Sequence, residues 1–211
     1  MKKAYITGAT GAIGMALVGE LLKNGISTMV FLRKDSGRND RVKDSFSREL
    51  ARGLLRIEYV SLEELSGYAL SWNTQDMQTY ASQDLLTKAA GGADTAVFYH
   101  LGWSGTFGEQ RNDADMQQKN VEYTLDAVRL AKRLGCVHFI GVGSQAEYGR
   151  FEGRLTPDTR TLPENEYGRA KLAAGIRSAE LCRGLGLRHS WVRTYGHYSL
   201  LYHNCRQDCH Y

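Results

Sequence analysis

Tyr167 and Lys171 stand four residues apart in the segment YGRAK, a spacing that puts a phenol and an amine on one face of a helix. That pairing has a chemical use. A free phenol holds its proton to about pH 10, and a neighbouring ammonium stabilises the phenolate, so that the group can exchange a proton with a substrate hydroxyl or carbonyl. Ser144 closes an apolar run upstream, where its hydroxyl can polarise the same reacting oxygen. Near the amino terminus the stretch TGATGAIG, Thr7 to Gly14, spaces Gly8, Gly11 and Gly14 at three-residue intervals between a strand pattern and a helix pattern. Glycines so placed permit a tight turn and a close approach of backbone to a pyrophosphate at the positive end of the helix. Thr7, Thr10, Ala12 and Ile13 complete that candidate cradle. The two stretches together predict a nucleotide-dependent oxidoreductase, in which Tyr167 moves a proton while hydride passes to or from a nicotinamide and Lys171 also holds the adjacent ribose.

The residues after the second strand pattern bear on the choice of dinucleotide. A carboxylate there suits the ribose hydroxyls of NAD, but this chain places Arg33 and Lys34 first, then Asp35, with Arg38 close behind. Guanidinium groups suit a 2′-phosphate through bidentate, charge-assisted contacts. NADP is therefore expected over NAD, with NAD still allowed.

Hydrophobic periodicity supplies the elements that must position these groups. Strands are predicted at Lys3–Thr7, Ser27–Leu32, Arg56–Val60, Thr95–Leu101 and His138–Val142. Helices are predicted at Ile13–Asn24, Val121–Leu134 and Tyr167–Leu185, the last in a segment opened by Pro163. Alternation of this kind implies parallel strands joined by right-handed crossovers, hence a doubly wound α/β sheet. Residues 66–92 fit least well and read as an insertion with one helix over Asp76–Ala90.

A chain of 211 residues with 42% hydrophobic content can bury a proper core as one domain. The net charge of +4 is dispersed, which argues against nucleic acid as a partner. With no apolar run long enough for a signal or a membrane span, the chain reads as soluble and cytoplasmic. Cys136, Cys182, Cys205 and Cys209 lack the spacing of a disulfide framework, and Cys136 and Cys182 read as small core residues.

With these residues assembled, the chain resembles the short-chain dehydrogenase/reductase superfamily, and within it the extended branch of NAD(P)-dependent epimerases and dehydratases acting on nucleotide sugars. The motifs that carry the likeness are TGATGAIG, the YHLGW segment at Tyr99–Trp103, Asn120 in KNVEYTLDAV, GSQAEYG at Gly143–Gly149, and YGRAK. The resemblance covers about residues 3–193 and implies a Rossmann-type doubly wound parallel sheet. It further implies that Tyr167 and Lys171 are catalytic with Ser144 assisting, and that His100, Leu101, Gly102 and Asn120 join the cofactor site. Trp103, Ser104, Gln145, Glu147 and Tyr148 fall on the substrate side; for Glu147 and Tyr148 a solvent carboxylate and a packed tyrosine are equally open readings. The implied reaction lies at C4 of a nucleotide sugar. Gln145 and Ala146 stand where dehydratases of this branch place acidic residues, which leaves 4-keto reduction or epimerisation. Where relatives carry an adenine-contacting aspartate this chain has Ser61. The resemblance also implies a homodimer through Val121–Leu134 and Tyr167–Leu185.

Residues 1–193 thus read as the NAD(P)-binding domain and 194–211 as an irregular tail, truncated or frame-shifted, with the small carboxyl-terminal substrate lobe largely missing. His203, Cys205, Cys209 and His210 in that tail match no common zinc spacing, and no metal is expected. The competing function, given a missing lobe, is a dinucleotide-binding protein without turnover.

Overall fold

The computed structural model describes residues 1–71 and 95–195. The predicted helix at Asp76–Ala90 and the potential zinc ligands of the tail lie outside the described residues.

Six strands form a single parallel sheet: β1 Lys3–Thr7, β2 Ser27–Leu32, β3 Leu55–Tyr59, β4 Ala96–His100, β5 Cys136–Ser144 and β6 Arg188–Thr194. Their spatial order is β3-β2-β1-β4-β5-β6, with β1 paired to both β2 and β4. The order reverses at the β1/β4 boundary, and a crevice opens there at the carboxyl ends of the strands.

Alternation along β1 divides the core between the two faces. Ala4 and Ile6 point to one side, where they join Val30 and Leu32 of β2 and Val18, Leu21 and Leu22 of α1, Ala12–Lys23. Val42 of the short helix α2, Asn39–Ser45, completes that face, and α3, Ser47–Ala51, follows it. Tyr5 points to the other side with Phe31, Phe98 and Phe139, covered by α4, Leu65–Ser71, α5, Ala114–Arg133, and α6, Glu166–Leu185. Phe31, Phe98, Phe139 and His189 stack in sequence across four strands, with centroids 5.8–6.1 Å apart. Each large apolar side chain buried in this way stabilises the fold by roughly 1.5–3 kcal/mol. Cys136 and Cys182 lie in the same core, where burial pushes their thiols up to about 12 and about 11.

Three expectations change. β5 runs two residues further at each end than predicted: Cys136 pairs with Ala96 of β4 at one end, and at the other Gly143 continues the strand, with Gly141 and Gly143 making room for the Trp191 indole of β6. α5 begins at Ala114, seven residues before its apolar stripe, with Asp113 as cap accepting from the Met116 amide at 3.0 Å. Residues 65–71, assigned in part to an insertion, form α4, with Leu65 and Ala69 in the core.

Candidate active site

The glycine turn and the loop after β4 meet at the crevice. Gly8 adopts φ +75°, and a Cβ there would lie 2.6 Å from the Gly102 nitrogen. Gly14 lets α1 press onto the turn, since a Cβ would meet the Gly8 carbonyl and stand 2.7 Å from the Ala9 Cα. Gly11 differs: its nearest neighbour, the Gly8 oxygen, would be 3.6 Å from a Cβ. Gly11 is also the N-cap of α1 and offers no side-chain cap, so the first helical amides remain available to an anion. Thr10 and Ile13 are half-buried beside it and Ala12 is exposed. A dinucleotide pyrophosphate fits this cradle, which closes where backbone needs to approach backbone and opens at Gly11.

Arg33, Lys34 and Arg38 are exposed beyond β2. The Asn39 amide donates to the Arg33 and Lys34 carbonyls at 2.9 and 3.1 Å and shapes that loop.

Thr7 and His100, each expected on the cofactor side, bond one another. His100 is 2% exposed, its Nδ1 2.9 Å from the Thr7 hydroxyl and its Nε2 3.2 Å from the Thr124 hydroxyl. Burial, helped by Lys171, lowers the imidazole to about 3, so it stays neutral. The pair ties β1 and β4 to α5 beneath the site. Leu101 and Gly102, half-buried, continue from this tie across Gly8, and the Gly102 amide donates to Thr7 Oγ1 at 3.3 Å.

Asn120 was also expected at the cofactor, yet its amide is engaged within the protein. It accepts from the Ser104 nitrogen at 2.8 Å and donates to the Ser104 carbonyl at 2.9 Å and the Met116 carbonyl at 3.1 Å. Gln117, which no motif signalled, does parallel work: it accepts from the Trp103 indole at 2.8 Å and donates to the Gly105 and Gln110 carbonyls at 2.8 and 2.9 Å. Both side chains are 1% exposed. They pin the loop that carries Trp103 and Ser104, which explains the polar opening turns of α5.

Ser144, Tyr167 and Lys171 converge at the end of β5. Ser144 caps a 3-10 turn at Gln145–Glu147, its hydroxyl accepting from the Ala146 amide at 3.2 Å. Asn165 caps α6 by accepting from the Gly168 amide at 2.8 Å, and a Cβ on Gly168 would strike the Ala146 carbonyl. The first turn of α6 therefore lies directly on the serine turn, which sets Tyr167 against Ser144. One turn further, Lys171 Nζ donates to the Val142 carbonyl at 2.7 Å and sits 3.7 Å from the centre of the Trp103 indole. Burial lowers this amine to about 7, with Glu147 opposing.

Tyr167 is raised above its ordinary value of 10, by burial first; hydrogen bonding with Ser144 and the charge of Arg111 pull it back, and Glu147 pushes it up. Among the charges near the phenol, the Arg111 guanidinium favours the phenolate, while burial lowers the Lys171 amine. The Arg111 guanidinium carbon lies 4.3 Å from the Tyr167 ring centre, and the Trp103 indole meets that ring edge-on at 6.1 Å.

Of the residues assigned to the substrate side, Glu147 and Tyr148 are structural. Glu147 is fully buried; Oε1 accepts from the Ser144 amide at 2.8 Å and the Trp191 indole at 3.0 Å, and Oε2 from Arg193 at 2.6 Å. The Tyr148 hydroxyl donates to the Thr156 carbonyl at 3.3 Å and accepts from Arg193 at 3.2 Å. Gln145, by contrast, lines a cavity of about 350 Å³ with Ala146, Arg150, Phe151, Asn165 and Tyr195.

A parallel sheet ordered 3-2-1-4-5-6, with a glycine cradle at its switch point and a helix bearing a phenol and an amine over β5, defines a dinucleotide-binding domain of the Rossmann class. The chain belongs to the NAD dependent epimerase/dehydratase family, which it matches over residues 4–209. Its fold is similar to that of a UDP-galactose 4-epimerase, with TM-score 0.66 and 21% identity over 90% of this chain and 55% of that one. The UDP-glucose 4-epimerase from Brucella ovis in complex with NAD gives 0.66 and 20%, over 92% and 51%. The UDP-glucuronic acid 4-epimerase from Bacillus cereus in complex with NAD gives 0.64 and 17%, over 90% and 56%. This chain spans about half the length of those solved chains. No curated protein sequence matches it. Among the described residues no helix is long and apolar enough to cross a membrane.

Proposed function

We propose that the chain is the cofactor-binding, proton-transferring part of an NAD(P)-dependent enzyme that epimerises or reduces a nucleotide sugar at C4. The observation that carries this reading is the convergence of Ser144, Tyr167 and Lys171 where β5 ends, beside the glycine cradle of β1. The dinucleotide supplies reversible hydride acceptance. Tyr167 exchanges the proton of the sugar hydroxyl or carbonyl, and Ser144 donates a hydrogen bond to the same oxygen. Lys171, held by the Val142 carbonyl, orients the ribose at the mouth of the site. Gln145 and the cavity it lines receive part of the sugar. Arg33, Lys34 and Arg38, exposed beyond β2, favour a 2′-phosphate and so NADP, and the homodimer through α5 and α6 belongs to the same proposal.

A second reading, dinucleotide binding without turnover, is favoured by one contact: the Trp103 indole covers the Lys171 ammonium. Fluorescence titration with NADP and NAD, followed by a screen of UDP-linked hexoses and 4-keto sugars, separates the readings. Turnover of any of these sugars is expected; tight cofactor binding with no turnover supports the second reading, and no cofactor binding refutes both. In the same titration Arg33→Asp is expected to shift preference toward NAD, and an unchanged preference removes the NADP assignment.

A further inference from the structure

We propose that Arg111 recognises a carboxylate carried by the sugar, next to the atom on which Tyr167 acts; this deepens the reading above and rests on it. Arg111 sits on a 3-10 turn, Gly108–Asn112, and lays its guanidinium over the Tyr167 ring. Among the described residues it makes one hydrogen bond, to the Thr106 carbonyl at 3.3 Å, and pairs with no carboxylate. Glu147, the buried acid of this region, is committed on both oxygens to Ser144, Trp191 and Arg193. Most of the guanidinium fork is therefore uncommitted, and its planar donors match a carboxylate in bidentate fashion.

The arginine is also preorganised. Gln117 and Asn120 hold the stretch from Trp103 to Gln110, and the guanidinium is itself held by the Thr106 carbonyl and the Tyr167 ring, which lowers the cost of ordering it when substrate arrives. The charge balance points the same way. Arg193 offsets Glu147, which leaves Arg111 beside the phenol as a cation with no carboxylate partner among the described residues, and a site with surplus positive charge selects a substrate that brings a negative one. Because the guanidinium stacks on the ring whose hydroxyl acts on C4, it is within reach of a substituent on the adjacent ring carbon. The diphosphate leaves from the far side of the sugar.

The test is calorimetric titration of the purified chain, with oxidised dinucleotide present, using UDP-glucuronic acid, UDP-glucose and UDP. Wild type is expected to prefer the uronic acid over UDP-glucose by at least about ten-fold, the scale of a charge-assisted hydrogen bond. Arg111→Gln is expected to erase that preference while leaving UDP-glucose and UDP affinities unchanged, and Arg111→Lys to retain part of it. Equal wild-type affinities for the two sugars, or a preference that survives in Arg111→Gln, overturn the inference alone. A uniform loss for all three ligands in Arg111→Gln also overturns it and assigns the residue to the diphosphate. Binding of none of the three by wild type overturns the nucleotide-sugar reading and the inference with it.

Discussion

Lys171 Nζ lies 3.7 Å from the centre of the Trp103 indole, and the side chain is buried, so its amine is held out of water. The consequence is thermodynamic. In the unfolded chain the amine keeps its proton to about 10.5, and in the native state only to about 7. Between those values the unfolded state binds more protons, so native stability rises with pH across that window and is insensitive to this group below it. Relative to Lys171→Met, wild type is expected to gain a few kcal/mol as pH is raised from about 7 to about 10. Urea unfolding of both proteins at several pH values checks this, and curves that move in parallel contradict it.

Gly14 and Gly11 answer to different constraints. Alanine at Gly14 drives a methyl into the Gly8–Ala9 backbone and is expected to cost about 1–3 kcal/mol of stability, as overpacking does. Alanine at Gly11 meets only an ordinary contact, with the Gly8 oxygen at 3.6 Å, and is expected to cost less than about 1 kcal/mol, while weakening dinucleotide binding at least about ten-fold by obstructing the approach to the helix amides. Thermal melts paired with cofactor titrations distinguish the two; equal effects of both substitutions on stability would remove this account of the cradle.

Glu147 and Arg193 form an ion pair whose carboxylate is fully buried. Removing one partner strands the other, so Glu147→Gln and Arg193→Met are each expected to destabilise by about 3–5 kcal/mol. The double variant should lose clearly less than the sum, because the stranded charge disappears with its partner. Strict additivity in denaturant unfolding would show the pair to be uncoupled.

The boundaries of β1 and β2 were legible from periodicity, because both are short apolar runs bounded by turn residues and buried on both faces. The sequence pattern stops β5 at Val142 because Gly143 and Ser144 carry no apolar side chain; Gly141 and Gly143 together admit Trp191 from a strand about 50 residues away. β6 was not delimited at all, since its burial is intermediate along most of its length. In the site, Ser144, Tyr167, Lys171 and the glycines were visible because their chemistry constrains spacing along the chain. Gln117, Arg111 and the Glu147–Arg193 pair were not, because their partners are set by tertiary contact and nothing local marks them. The partners of His100 and Asn120 have the same origin: both side chains bond within the protein, to residues that no local spacing marks.

Proton transfer by Tyr167 is tested most directly by comparing wild type with Tyr167→Phe, which retains the ring beneath Arg111 and beside Trp103 and removes only the hydroxyl. With a nucleotide sugar that wild type turns over, the variant is expected to bind dinucleotide with unchanged affinity and to lose about 10²–10⁴-fold in kcat. Turnover undiminished in Tyr167→Phe would contradict the account.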